Sequence, residues 1–77
     1  MRRKTPSRFV LKLAARRALL RSSHSLAELG AQVRLDQADV SRVMHGATFG
    51  AARRAKVELL VRVLGLDPSV EIVQARS

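Results

Sequence analysis

From residue 8 onward the chain repeats apolar side chains at three- and four-residue intervals, broken by short polar or glycine-containing stretches. That period belongs to amphipathic helices with one face turned to a core. Between Arg8 and Arg21, Phe9, Leu13, Ala14 and Leu20 fall at helical spacing with Lys12, Arg16 and Arg17 between them, predicting a first helix. After a Ser22-Ser23-His24 loop, Ser25-Leu26-Ala27-Glu28 reads as a capping box, opening a helix to about Gln32. Leu35 to Val40 repeats the start signal, with Asp36 as cap, Asp39 in the first turn and Leu35 and Val40 placed as a hydrophobic staple. This helix runs to about His45 and stops at Gly46. A loop from Ala47 to Gly50 precedes the longest periodic segment, about Ala51 to Leu64, closed by Gly65. Asp67-Pro68 starts a short helix, whereas Val70-Glu71-Ile72-Val73 also reads as a strand by its β-branching.

The expected fold is all-α: a compact four- to five-helix bundle whose C-terminal segment is a short helix or a dimerising strand. Met1 to Ser7 has no apolar period and contains Pro6, so residues 1–7 read as a flexible basic arm and residues 8–77 as one domain.

Charge adds a partner class. The 77 residues hold 15 Lys+Arg against 6 Asp+Glu, a formal net charge of +9. Arg2, Arg3, Lys4, Arg8, Lys12, Arg16, Arg17 and Arg21 all precede the first acid, Glu28. Such a run is a solvated face or a phosphate-binding surface. It also has the look of an Arg-rich transit peptide, but removing it would leave too little chain for a core. Hydrophobic residues make up 47%, enough for a compact core, and the absence of cysteine excludes disulfides, thiolate metal sites and thiol nucleophiles. Phe9 and Phe49 are the only aromatics, too few for a platform that stacks single-stranded bases. No apolar stretch is long enough to span a membrane.

The segment from Leu26 to His45 carries the functional signal. Two capped helices are joined by a turn of about three residues, too short for an antiparallel return, and Leu29, Val33, Leu35, Val40 and Val43 fall where a crossed pair must bury side chains. Together with Val40-Ser41-Arg42, Gly46 and the later Leu64-Gly65-Leu66-Asp67-Pro68, this resembles the helix-turn-helix of the Cro and phage-repressor (XRE-like) family, over roughly Ser25 to Pro68. Gly30 stands at the helix crossing where the family usually has alanine. Arg34 stands in the turn where the family prefers glycine, so it takes a left-handed backbone or a different turn. Leu26 replaces a polar residue that contacts phosphate in many members.

The resemblance implies a lambda-repressor-like domain whose recognition helix is about Gln37 to His45. With Val40 and Val43 turned inward, Gln37, Ala38, Ser41, Arg42 and His45 are left to read base edges in the major groove. The plainer readings are an ordinary first-turn residue for Gln37 and an Asp39 salt bridge for Arg42, and Arg42 and His45 are equally suited to hold phosphate. The resemblance also places the DNA backbone at Thr48, Arg53 and Arg54, and the charge of the chain adds Arg34 in the turn and Arg2, Arg3 and Lys4 as an arm around the duplex. Simple solvation is the alternative for each.

No catalytic constellation appears. The serines lack a G-x-S-x-G elbow, no glycine-rich phosphate loop occurs, and His24 and His45 have no partner at ligand spacing, so no enzyme activity, cofactor or metal is expected. The leading expectation is a sequence-specific double-stranded DNA-binding transcriptional regulator, a small cytoplasmic, nucleoid-associated repressor. The alternatives are a sequence-tolerant architectural DNA-binding protein and an antitoxin-type module that binds a protein toxin. On the fourth helix Val57, Leu60, Val61 and Leu64 form one stripe, while Leu59 and Val63 lie on the opposite side. With Val70, Ile72 and Val73 they form the expected homodimer interface, which would demand a palindromic operator.

Overall fold

The computed structural model describes residues 8–75. In chain order they form β1 (Arg8–Leu11), α1 (Leu13–Arg21), α2 (Leu26–Val33), α3 (Gln37–Met44), β2 (Phe49–Gly50), α4 (Ala51–Val63), α5 (Pro68–Glu71) and β3 (Ile72–Gln74). The fold is therefore α+β rather than all-α. Five helices pack with a three-stranded antiparallel sheet of order β2-β1-β3. The arm at residues 1–7 lies outside the described residues.

The sheet corrects three expectations at once. Arg8-Phe9-Val10-Leu11 is a strand rather than the first turn of a helix, Phe49-Gly50 is a strand rather than loop, and the C-terminal segment is both helix and strand. Phe9 lies opposite Phe49 in the β1–β2 pair, and Leu11 lies opposite Ile72 in the β1–β3 pair. The pairs are hydrophobic across the strands, with Phe9 and Phe49 ring centroids 6.3 Å apart, and such pairs are what stabilise short antiparallel ladders. The Lys12 amide donates to the Glu71 carbonyl at 2.8 Å and the Ala75 amide to that of Arg8, extending the β1–β3 ladder beyond both ends. As β3 is held by β1 of its own chain, the strand expected to dimerise is already committed along one edge.

Starting α1 at Leu13 also changes which face is buried. Ala15 and Leu19 point into the core and continue from Leu11, whereas Leu13 and Leu20, expected inside, are 51% and 65% exposed. Ala14 is exposed as well.

The core joins Leu11, Ala15, Leu19, Leu29, Val33, Leu35, Val40, Val43, Phe49, Val57, Leu60, Val61 and Ile72. Every helix of two turns or more contributes, and no charged or polar residue is buried among the described residues. On α4 the inward residues are Val57, Leu60 and Val61, with Leu64 half-buried just beyond the helix, as the stripe predicts. Gly65 follows at φ 79°, a left-handed position that suits a residue without Cβ after a helix end.

Candidate functional site

The site is built on the helix pair α2–α3. Ser25 caps α2 reciprocally: its hydroxyl accepts from the Glu28 amide at 3.1 Å, and the Glu28 carboxylate accepts from the Ser25 amide at 3.0 Å. These bonds hold the Glu28 carboxyl below its ordinary value of 4.5, the backbone bond at Ser25 contributing most, and His24 adds a smaller favourable charge.

The turn between the helices adopts the left-handed option. Arg34 sits at φ 59°, ψ 43°, which lets the Leu35 amide bond back to the Gly30 carbonyl at 2.8 Å. That return brings the Leu35 carbonyl onto Gly30, so a Cβ at residue 30 would collide with the Leu35 oxygen and meet Val40 Cγ2 at 3.3 Å. The Gly30 departure from alanine thus has a geometric cause. Leu35 and Val40 are both buried, as a staple across the start of α3 requires. Asp36 occupies the cap position without a side-chain cap bond, so its expected capping role is not fulfilled.

Of the residues assigned to base reading, Gln37, Ala38, Arg42 and His45 are exposed and Ser41 is half-buried. All lie on α3 or its C-cap, away from Val40 and Val43. Gln37 and Ala38 occupy its first turn. Ser41 and His45 are engaged locally: the Ser41 hydroxyl lies 3.5 Å from His45 Nδ1, which also lies 2.7 Å from the Ser41 carbonyl oxygen. Arg42 makes the Asp39 salt bridge that was the plainer reading, at 3.1 Å.

The backbone set divides. Arg34 and Arg53 line an open groove of about 520 Å³ between the start of α3 and the start of α4. Thr48 and Arg54 are instead tied into the fold. The Arg8 guanidinium donates to the Thr48 hydroxyl and carbonyl, both at 3.0 Å, while Arg54 pairs with Glu58 at 3.0 Å and stacks 4.4 Å over the Phe9 ring. Arg2, Arg3 and Lys4 lie outside the described residues.

Two cations that the sequence reading did not assign to the site also line the groove: Arg8 and Lys56. Lys56 follows Arg53 by three residues and shares its helix face, a spacing visible in the sequence. Arg8 arrives through the pairing of β1 with β2, where it lies opposite Gly50, and no local pattern announces that. The four cations are opposed by Asp36 and Asp39, and Gly50, the residue before α4, gives that helix no side-chain cap. The groove therefore combines excess positive charge with a helix start that has no side-chain cap, a setting suited to a phosphate.

Away from the groove, Leu59, Val63 and Val70 are exposed, and Val73 is half-buried. Ile72, grouped with them from the sequence, is 5% exposed and belongs to the core, so it is unavailable to a partner in this fold. Among the described residues no cluster of His, Asp and Glu is arranged to hold a metal ion, and no helix is long and apolar enough to cross a membrane. Compared with protein-family models, curated proteins and solved structures, the chain matches none.

Proposed function

We propose that the chain is a sequence-specific double-stranded DNA-binding regulator of the helix-turn-helix type, acting as a small homodimeric repressor at a palindromic operator. The observation that carries this reading is the exposed first turn of α3, with Gln37 and Ala38 outward, beside a groove lined by Arg8, Arg34, Arg53 and Lys56. A glutamine pairs bidentately with adenine and an alanine meets a thymine methyl, while the neighbouring cations hold the backbone. A short helix fixed by a staple and a tight turn presents such side chains rigidly, as base reading requires. Such a regulator would repress by occupying its operator, and the site of action would be the nucleoid.

Selection of bound sequences from a random duplex pool tests the reading. One sequence class should be enriched, and Gln37→Ala and Ser41→Ala should each weaken its binding by about 1–3 kcal/mol while scarcely changing binding to scrambled DNA. Equal losses on both duplexes would leave the sequence-tolerant architectural role, for which the net charge of +9 suffices.

A further inference from the structure

We propose that Asp39 is a specificity-determining positioning residue: its carboxylate holds Arg42 and Arg53 back from unselective phosphate contact and aims Arg42 at base edges. The inference rests on the DNA-reading function proposed above. Asp39 lies in the first turn of α3, where a carboxylate is favoured by the free amides of the helix start. Its Oδ1 is 3.1 Å from Arg42 of the same helix, and its Oδ2 is 3.7 Å from Arg53 of α4.

Exposure identifies the fixed partner. The Asp39 side chain is 15% exposed, against 68% for Arg42 and 46% for Arg53, so the carboxylate is the anchor and the guanidinium groups are the ends free to swing. The pair with Arg53 joins two helices, which sets Asp39 apart from an ordinary pair along one helix. It ties the orientation of α3 to the first turn of α4.

Exposed ion pairs are weak, so a better acceptor can take an arginine from Asp39. A guanine edge offers Arg42 two acceptors in one plane at a fixed place in the groove, which an arginine held in orientation by Asp39 meets at a lower ordering cost than a freely swinging one. Asp39 also lines the basic groove and lowers its potential for every passing phosphate, whatever the sequence. Orienting Arg42 favours the operator, while the lowered potential weakens phosphate binding on both duplexes alike, so loss of Asp39 tightens unselective binding and narrows the gap between them.

Wild type, Asp39→Asn and Asp39→Glu are titrated, over a range of salt, with the duplex that wild type selects from a random pool and with a scrambled duplex of equal length. Asp39→Asn should tighten binding to the scrambled duplex severalfold at low salt and steepen its log K against log salt by up to about 2 units, one for each arginine released. The ratio of selected to scrambled affinity should fall severalfold, and Asp39→Glu should recover most of both changes. An Asp39→Asn protein whose slope and ratio equal those of wild type overturns the inference and leaves the DNA reading intact. Equal weakening on both duplexes, with only the melting temperature lowered, assigns Asp39 a purely structural role and also overturns it. If Asp39→Asn does not fold, Arg42→Gln removes the arginine that Asp39 aims, at the most exposed of the three residues. It should lower the ratio, and an unchanged ratio overturns the inference. A wild type that binds neither random-pool nor scrambled duplex removes the DNA reading and this inference with it.

Discussion

The turn of the helix pair depends on Gly30 and Arg34. Arg34 accepts a left-handed backbone that costs a non-glycine residue on the order of 1 kcal/mol, and the return of the chain then packs the Leu35 carbonyl against Gly30. Two effects oppose each other when Gly30 becomes alanine. Helix propensity improves by about 1 kcal/mol, but the new methyl group meets backbone, which cannot rotate away. Forcing a methyl into such a site costs about 1–3 kcal/mol, so the steric effect wins. Gly30→Ala should therefore lower stability in denaturant titrations, although alanine is the better helix former. A stabilised Gly30→Ala would mean that the turn opens at little cost and that the left-handed Arg34 does not define it.

At the scale of elements, what the sequence could show was what is local. The capping box at Ser25 and Glu28, the staple of Leu35 and Val40, and the inward stripe of α4 depend on residues within a few positions of each other, and the structure contains all three. The strands depend on partners far away: Phe9 pairs with Phe49 and Gln74, and Leu11 with Ile72. Four residues at the start of an Arg-rich segment have no period long enough to tell a strand from a helix. Reading them as helix shifted the face assigned to α1, which is why Leu13, Ala14 and Leu20 were expected inside in place of Leu11, Ala15 and Leu19. For the site, the same limit hid Arg8 and the cross-helix pair of Asp39 with Arg53, while the outward order of residues on α3 was legible from its period.

The caps also carry a pH signature. Glu28 is held below 4.5 by its bonds at Ser25, and Asp67 below 3.8 by its bonds to the Ser69 hydroxyl and amide and, less, by Arg62. A carboxyl whose folded value is lowered binds protons more readily when unfolded, so its contribution is complete above the ordinary value and is lost as pH falls through the folded value. Melting temperature should hence be insensitive to these two groups above about pH 5 and decline below it. Glu28→Gln should lower the melting temperature at pH 7 and give a shallower acid decline, the two proteins converging at the lowest pH. A parallel decline in both would show that Glu28 contributes nothing to the acid limb.

For the whole molecule the open question is what covers Leu59, Val63 and Val70. Among the described residues the C-terminal segment does not fold over Leu59 and Val63; it turns through α5 and pairs with β1, and Leu59 and Val63 are exposed. Leucine and valine gathered there, beyond the stripe that fills the core, suit contact with the same patch on a second copy, an arrangement that twofold symmetry makes self-complementary. Such a dimer would set two copies of α3 about 34–36 Å apart, one turn of DNA, and so link assembly to a palindromic operator. Sedimentation at micromolar concentration should show a dimer. Leu59→Glu and Val70→Glu should return it to monomer with unchanged circular dichroism, because both side chains are already at the surface. Ile72→Glu is a different experiment: it buries a charge opposite Leu11 in the sheet and should unfold the chain rather than separate two folded copies. A wild type that sediments only as monomer would exclude the dimer, and a dimer that survives Leu59→Glu and Val70→Glu would move the contact to the outer edge of β3, where the order β2-β1-β3 leaves backbone groups without a neighbouring strand among the described residues.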